Sequence, residues 1–146
     1  MIESLFKSIL LVDDDTNDVT LIKSALEEVH FGNQIVVAED GEEALDYMYR
    51  RGKFVGFNGN TPAFILLDIK MPMMDGIEVL KIIRNDHSFD QIPVIMMTSS
   101  RDISDLDECY KNGANSFVVK PVSIIEFIQV VKEVGKYWVV INEIPT

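Results

Sequence analysis

The chain has one cysteine, Cys109, among its 146 residues. It cannot close an internal disulfide, which fits a reducing cytoplasm. Basic residues are scarce: 13 Lys and Arg against 24 Asp and Glu give a net charge of −11. There is no basic run, and this balance opposes binding to the nucleic-acid backbone, which relies on Lys/Arg clusters. No apolar run approaches the roughly 20 residues that span a bilayer. The start, Met1–Ile2–Glu3–Ser4–Leu5–Phe6–Lys7, lacks a basic segment followed by a separate apolar stretch, so no secretory leader is read there. Internal repeats and low-complexity tracts are missing too. These absences exclude nucleic acid and membrane as expected partners and predict a cytoplasmic location. The acidity reads first as solubility, with an acidic metal pocket and partner choice as further uses.

Hydrophobic content of 47% and charged content of 25% belong to a globular protein. The length suits one domain, expected over residues 1–146. Short apolar runs alternate with helical periodicity, the pattern of a mostly parallel sheet covered by helices. Strands are expected at Ser8–Val12, Ile35–Glu39, Phe64–Asp68, Val94–Met97 and Ser116–Val119. Helices are expected at Thr16–His30, Gly41–Arg51, Gly76–Asn85, Ser104–Asn112 and Ser123–Trp138. The connection Gly52–Pro62 is long and rich in Gly and Asn, and reads as an insertion or a partner contact. The last helix carries more apolar residues than one buried stripe needs, among them Ile124, Ile125, Phe127, Val131 and Trp138. Either the tail Val139–Pro145 folds back over them or a second copy covers them.

Four strand ends carry chemistry. Ile9–Val12 closes on Asp13–Asp14–Asp15 and Ala63–Leu67 closes on Asp68. Ile92–Met97 runs into Thr98–Ser99–Ser100, and Phe117–Val119 into Lys120–Pro121. In an open α/β sheet the C-terminal rim of the strands is where ligands sit. Each residue has an ordinary explanation: Asp13–Asp15 as a turn and helix cap, Asp68 as a turn residue, Thr98 as a cap, Lys120 as a solvated side chain. Together they make a different proposition. Clustered carboxylates repel unless a cation balances them, and Mg²⁺ is commonly held by one or two carboxylates with phosphate oxygens. An acid that accepts a phosphoryl group also needs an ammonium and a hydrogen-bond donor beside it.

On these motifs the chain resembles the receiver domain of two-component response regulators. The residues are Leu11–Val12–Asp13–Asp14, Leu67–Asp68–Ile69–Lys70–Met71–Pro72 with Met74–Asp75–Gly76, Pro93–Thr98, Gly113–Ala114 and Val119–Lys120–Pro121. The resemblance implies a flavodoxin-like (βα)5 fold, a three-layer sandwich on a parallel five-stranded sheet of order 2-1-3-4-5. It makes Asp68 the phosphoacceptor and assigns Mg²⁺ to Asp13, Asp14, Asp68 and the main-chain carbonyl of Lys70. Lys120 is the residue expected to contact the acyl phosphate, Thr98 to swing toward it, and Phe117 to rotate inward. The matching aromatic is often Tyr; Phe117 keeps the ring without the hydroxyl. Lys70 and Ser100 hold positions that tune phosphate loss in the family. Such a protein is a switch that catalyses its own phosphorylation and dephosphorylation rather than a metabolic enzyme. Asn33–Tyr47, the long loop, Gly113–Ser116, Val130–Val131 and Tyr137–Trp138 are further similar to the stand-alone regulators paired with bacterial phytochromes. Those lack an output domain and dimerise. The resemblance thus implies a sensor histidine kinase as partner, with a phytochrome as one form of it, and a homodimer through the fourth and fifth helices.

Two other readings fit parts of the pattern. Leu11–Thr16 also fits the start of a haloacid-dehalogenase-type phosphatase, but that leaves Asp68 without a role and lacks a last acidic motif. A receiver-like interaction module without phosphorylation is the other. Of the remaining polar and sulfur residues, Met96 and Met97 read as strand packing, Met71, Met73 and Met74 as loop packing or, second, a cover over the site mouth, and Cys109 as an inert helix residue. His30 and His87 are too isolated for a metal site and are expected at the surface.

Overall fold

The structure is a computed structural model, and residues 7–29, 32–59 and 61–143 are described. Five parallel strands form one sheet: β1 (Ile9–Val12), β2 (Ile35–Ala38), β3 (Phe64–Leu67), β4 (Val94–Thr98) and β5 (Ser116–Val119). Their order is β2-β1-β3-β4-β5, as the family resemblance implies. Five α-helices alternate with them: α1 (Thr16–Glu28), α2 (Gly41–Tyr49), α3 (Gly76–Asn85), α4 (Ile103–Lys111) and α5 (Ile124–Lys136).

The central strands read as continuous apolar runs because both faces are covered. Leu10, Val12, Ile65, Leu67, Val94 and Met96 pack with residues of α2, α3 and α4. Ile9, Leu11, Phe64, Leu66, Ile95 and Met97 pack on the other face with residues of α1 and α5. Met96 and Met97 therefore enter opposite cores, as strand alternation requires. Each such fully buried side chain contributes about 1.5–3 kcal/mol. Cys109 joins the first core, and burial pushes its thiol up to about 11.

Helix ends follow local chemistry. Asp15, Asp40, Asp75, Asp102 and Ser123 each cap a helix by accepting from a backbone N–H in its first turn. The second helix stops at Tyr49 instead of running to Arg51, because Arg50 turns into the left-handed region at φ 54°. α1 ends at Glu28 with Val29 as its cap, and the expectation for His30 lies outside the described residues.

Part of the long connection after α2 is packed on the fold. Gly52–Phe54 forms a 3-10 turn, Phe54 is buried, and the rings of Phe54 and Phe57 meet Tyr47 edge-on at 5.1 and 5.3 Å. Among its described residues the tail does not fold back: Tyr137–Ile141 carries on from α5 as a π-helical turn and buries Val139 in the second core, while Ile144 and Pro145 lie outside the described residues. Of the loop methionines, Met71 is buried and Met74 packs against the core. Met73, read from sequence as packed, is fully exposed, on a backbone with φ 68°. His87 is exposed beside Asp90.

One glycine fixes the loop after β3. A Cβ on Gly76 would lie 2.0 Å from the carbonyl oxygen of Asp68 and 2.8 Å from its carbonyl carbon. Both obstacles are backbone, and the Gly76 N–H also donates to the Ile69 carbonyl at 2.8 Å. Gly76→Ala is expected to destabilise the fold by about 2–3 kcal/mol through this overpacking. Urea unfolding measures it; an unchanged midpoint would contradict the close approach.

Candidate functional site

The ends of β1, β3, β4 and β5 are tied together by main chain. Asp68 N–H donates to the Val12 carbonyl at 3.0 Å, and Lys120 N–H to the Thr98 carbonyl at 2.7 Å. These bonds continue the sheet ladders past the last strand residues and set Asp13, Asp68, Thr98 and Lys120 along one rim. Thr98 itself belongs to β4, one residue beyond the expected strand end.

The acidic run after β1 divides its labour. Asp15 caps α1, accepting from the N–H groups of Asn17 and Asp18. Asp13 is buried and accepts from Asp15 N–H at 2.9 Å. Asp14 is exposed. Asp13, Asp14 and Asp68 can each direct one carboxylate oxygen so that all three lie within 4.8 Å of one another. Three hard oxygen donors at this spacing suit a hard divalent cation and not a thiolate-preferring metal. The electrostatics agree. Burial, reinforced by the neighbouring carboxylates of Asp13 and Asp14, raises Asp68 to about 6 despite Lys120. Burial also raises Asp13, against its hydrogen bonds to Lys120 and Asp15. Both groups sit where a positive charge is wanted.

The only protein cation at this point is Lys120, among the described residues. Its side chain is 7% exposed, and its ammonium donates to Asp13 Oδ2 at 2.7 Å and Asp18 Oδ2 at 2.8 Å. Asp68 Oδ2 lies 3.6 Å away, an ion pair short of a hydrogen bond. Burial opposes the charge on Lys120, but the bonds to Asp13 and Asp18 and the charge of Asp68 outweigh it and hold the amine protonated. Asp68 Oδ1 accepts from Ile69 N–H at 2.9 Å.

Thr98 is fully buried, and its Oγ1 accepts from Ser100 N–H at 3.3 Å. Phe117 is half-buried against the first core. Lys70, two residues beyond Asp68, points its ammonium to Asp105 Oδ2 at 3.3 Å, and Ser100 Oγ donates to the same oxygen at 2.9 Å. Asp105 thus bridges the loops after β3 and β4 to α4.

All of Asp13, Asp14, Asp68, Thr98 and Lys120 come from sequence reading. Asp18 and Asp105 do not. Asp18 had a signal: a helix that follows a strand starts at the rim, so an acid in its first turn is within reach of whatever the rim holds. Asp105 had none, because its partners lie on two other loops.

Metal-free, the buried charge of Asp68 has a stability cost with a definite pH dependence. Its folded pKa is raised from 3.8 to about 6, so the folded state keeps this proton more tightly than the unfolded chain. Stability from this group is greatest below pH 3.8 and is lost as pH rises through about 6. In EDTA, Asp68→Asn is expected to be the more stable protein above that range by on the order of 3 kcal/mol, and the gap to close near pH 4. Thermal melts across pH read it; wild type as stable as the variant at pH 7.5 would contradict the assignment.

With this geometry in view, likeness to known proteins is informative. The sequence matches the family described as "Response regulator receiver domain" over residues 9–132. The probable methanogenesis regulatory protein FilR2 of Methanothrix harundinacea is 36% identical over 137 residues, covering 94% of this chain and 86% of that protein. The crystal structure of the phosphorylated cyanobacterial phytochrome response regulator RcpA superposes with a TM-score of 0.89 at 31% identity, covering 96% of this chain and 99% of that one. The bacteriophytochrome response regulator AtBRR is 43% identical with a TM-score of 0.75, covering 94% and 99%. Sheet order, rim residues and these likenesses converge, and the chain belongs to the response regulator receiver domain family.

Proposed function

We propose that this chain is a single-domain response regulator whose Asp68 takes a phosphoryl group from a sensor histidine kinase. The observation that carries the reading is the buried Asp68 carboxylate, with Asp13 and Asp14 on one side and the Lys120 ammonium 3.6 Å away on another. Asp68 attacks the phosphorus of a phosphohistidine in line. An O–P bond forms as the P–N bond breaks, and the electron pair leaves on the imidazole nitrogen, which takes up a proton. Asp13, Asp14, Asp68 and the main-chain carbonyl of Lys70 would hold Mg²⁺, which when bound would neutralise charge on the transferring group. Lys120 balances the same charge from the protein side, and Thr98 donates from its hydroxyl. The domain therefore catalyses its own phosphorylation and, with water in place of histidine, its own dephosphorylation.

The new charge on Asp68 then biases a two-state element. Thr98 gives up its contact from Ser100 to reach the phosphoryl group, and Phe117 turns into the space behind it. The surface of α4, β5 and α5 changes as a result. That surface carries unpartnered apolar side chains: Ile103 is 75%, Val122 102% and Ile125 82% exposed. A second copy of the chain covers them in our reading, as an isologous dimer. The likeness to RcpA and AtBRR favours a phytochrome as the kinase. A cytoplasmic location goes with that partner; no helix among the described residues is long and apolar enough to cross a membrane.

Two experiments test this. A radiolabelled small phosphodonor with Mg²⁺ is expected to label wild type and not Asp68→Asn; unlabelled wild type would leave an interaction module as the reading. In sedimentation at tens of micromolar, on the order of weak dimer affinities, wild type is expected as a dimer and Ile125→Asp as a monomer. A monomeric wild type would reject the interface.

A further inference from the structure

We infer that Asp18 is a positioning residue for the chemistry at Asp68, acting through Lys120; the inference rests on the phosphoacceptor reading above. Lys120 has three N–H donors on its ammonium and no acceptor. Two are committed at hydrogen-bond distance, to Asp13 Oδ2 at 2.7 Å and to Asp18 Oδ2 at 2.8 Å. The third is left for the side on which Asp68 Oδ2 stands at 3.6 Å. A phosphoryl group bonded to Asp68 extends outward from that carboxylate. Its oxygens can accept the third N–H without either existing bond being broken.

Asp18 is what makes this arrangement definite. Lysine is a flexible stem ending in a point charge, and a single contact to Asp13 would leave the ammonium free to turn about it. Asp13 lies in the loop after β1, and Asp18 in the first turn of α1. The two carboxylates grip the ammonium from two elements. The ordinary reading of Asp18 is an acid in a helix's first turn, favoured by the helix dipole. That role asks only for proximity to the backbone N–H groups. Here those of Asn17 and Asp18 go to the Asp15 side chain, and the Asp18 carboxylate is bonded to a residue 102 positions away.

The two contacts also differ in kind. Asp13 is buried and belongs to the candidate metal group, so its charge would be shared with a bound cation. Asp18 is outside that group, its side chain is 25% exposed, and among the described residues its one ion pair is with Lys120. Asp18 thus keeps Lys120 oriented when Asp13 turns its charge to the metal. Misplacing a charged group by about 1 Å can cost up to a hundredfold in rate.

The test compares Asp18→Ala, which removes the acceptor, with Asp18→Asn, which keeps one oxygen for the ammonium. With saturating Mg²⁺ and a small phosphodonor, Asp18→Ala is expected to be labelled on Asp68 about tenfold more slowly than wild type, and Asp18→Asn to recover to within about threefold. The ¹H–¹⁵N signal of the Lys120 ammonium should be resolved in wild type and Asp18→Asn and broadened by solvent exchange in Asp18→Ala. A purely helical role for Asp18 would lower the melting temperature and leave labelling rate and ammonium signal as in wild type, which would overturn the inference. Equal slowing in both variants would overturn it as well. If wild type itself is unlabelled, it is the phosphoacceptor reading that fails.

Discussion

The ammonium of Lys120 is the constraint around which the rim of this sheet is organised. It is a charge drawn almost wholly out of water, and a lone buried ammonium would lose its proton or leave. Asp13 and Asp18 keep it charged, and that bond pattern joins the loop after β5 to β1 and α1 across the sheet's width. Asp68 is then left as the carboxylate with too little positive charge around it. Burial raises both Asp68 and Asp13, the neighbouring carboxylates add to it at Asp68, and three acids within 4.8 Å of one another fit a hard divalent cation. A carboxylate in such surroundings is prepared to meet a cation, and a bound hard divalent ion would supply the missing positive charge.

The fold is the means of holding these groups at separations that water would not permit. Parallel strands with both faces covered end together, and the ladder bonds from Asp68 N–H and Lys120 N–H carry the alignment one residue beyond the strands. Gly76 lets the chain turn back close beneath Asp68, and Arg84 fastens the far side. The Arg84 guanidinium donates to the carbonyls of Phe89, Ile92 and Gly113 and to the Asn115 side chain, tying α3 to the starts of β4 and β5. The site side of α4 is held more lightly, through Asp105 to Lys70 and Ser100. Lys70 lies two positions beyond Asp68 and Ser100 two beyond Thr98, so Asp105 links α4 to the loops that carry both rim groups.

Much of this was legible in the sequence. Apolar runs marked all five strands, and their C-terminal residues gave Asp13, Asp14, Asp68, Thr98 and Lys120, because one-dimensional position in a strand already states position on the rim. Helix ends were less legible where a single residue decides them: Arg50 closes α2 with a left-handed turn that its identity does not advertise. In the long connection the Gly and Asn content hid the packing of Phe54 and Phe57 on Tyr47. Asp18 and Asp105 were missed for a common reason. Their meaning lies in partners 102 and 35 residues away, and no local pattern carries such a pairing.

The central claim, that the carboxylates at the rim form an electrostatically incomplete site, is tested most directly by titrating Mg²⁺ into the metal-free protein and following backbone amide resonances. Saturable shifts concentrated at residues 13–15, 68–71, 98–100 and 120, and abolished in Asp13→Asn, are predicted. Shifts scattered over the acidic surface without saturation would contradict the account.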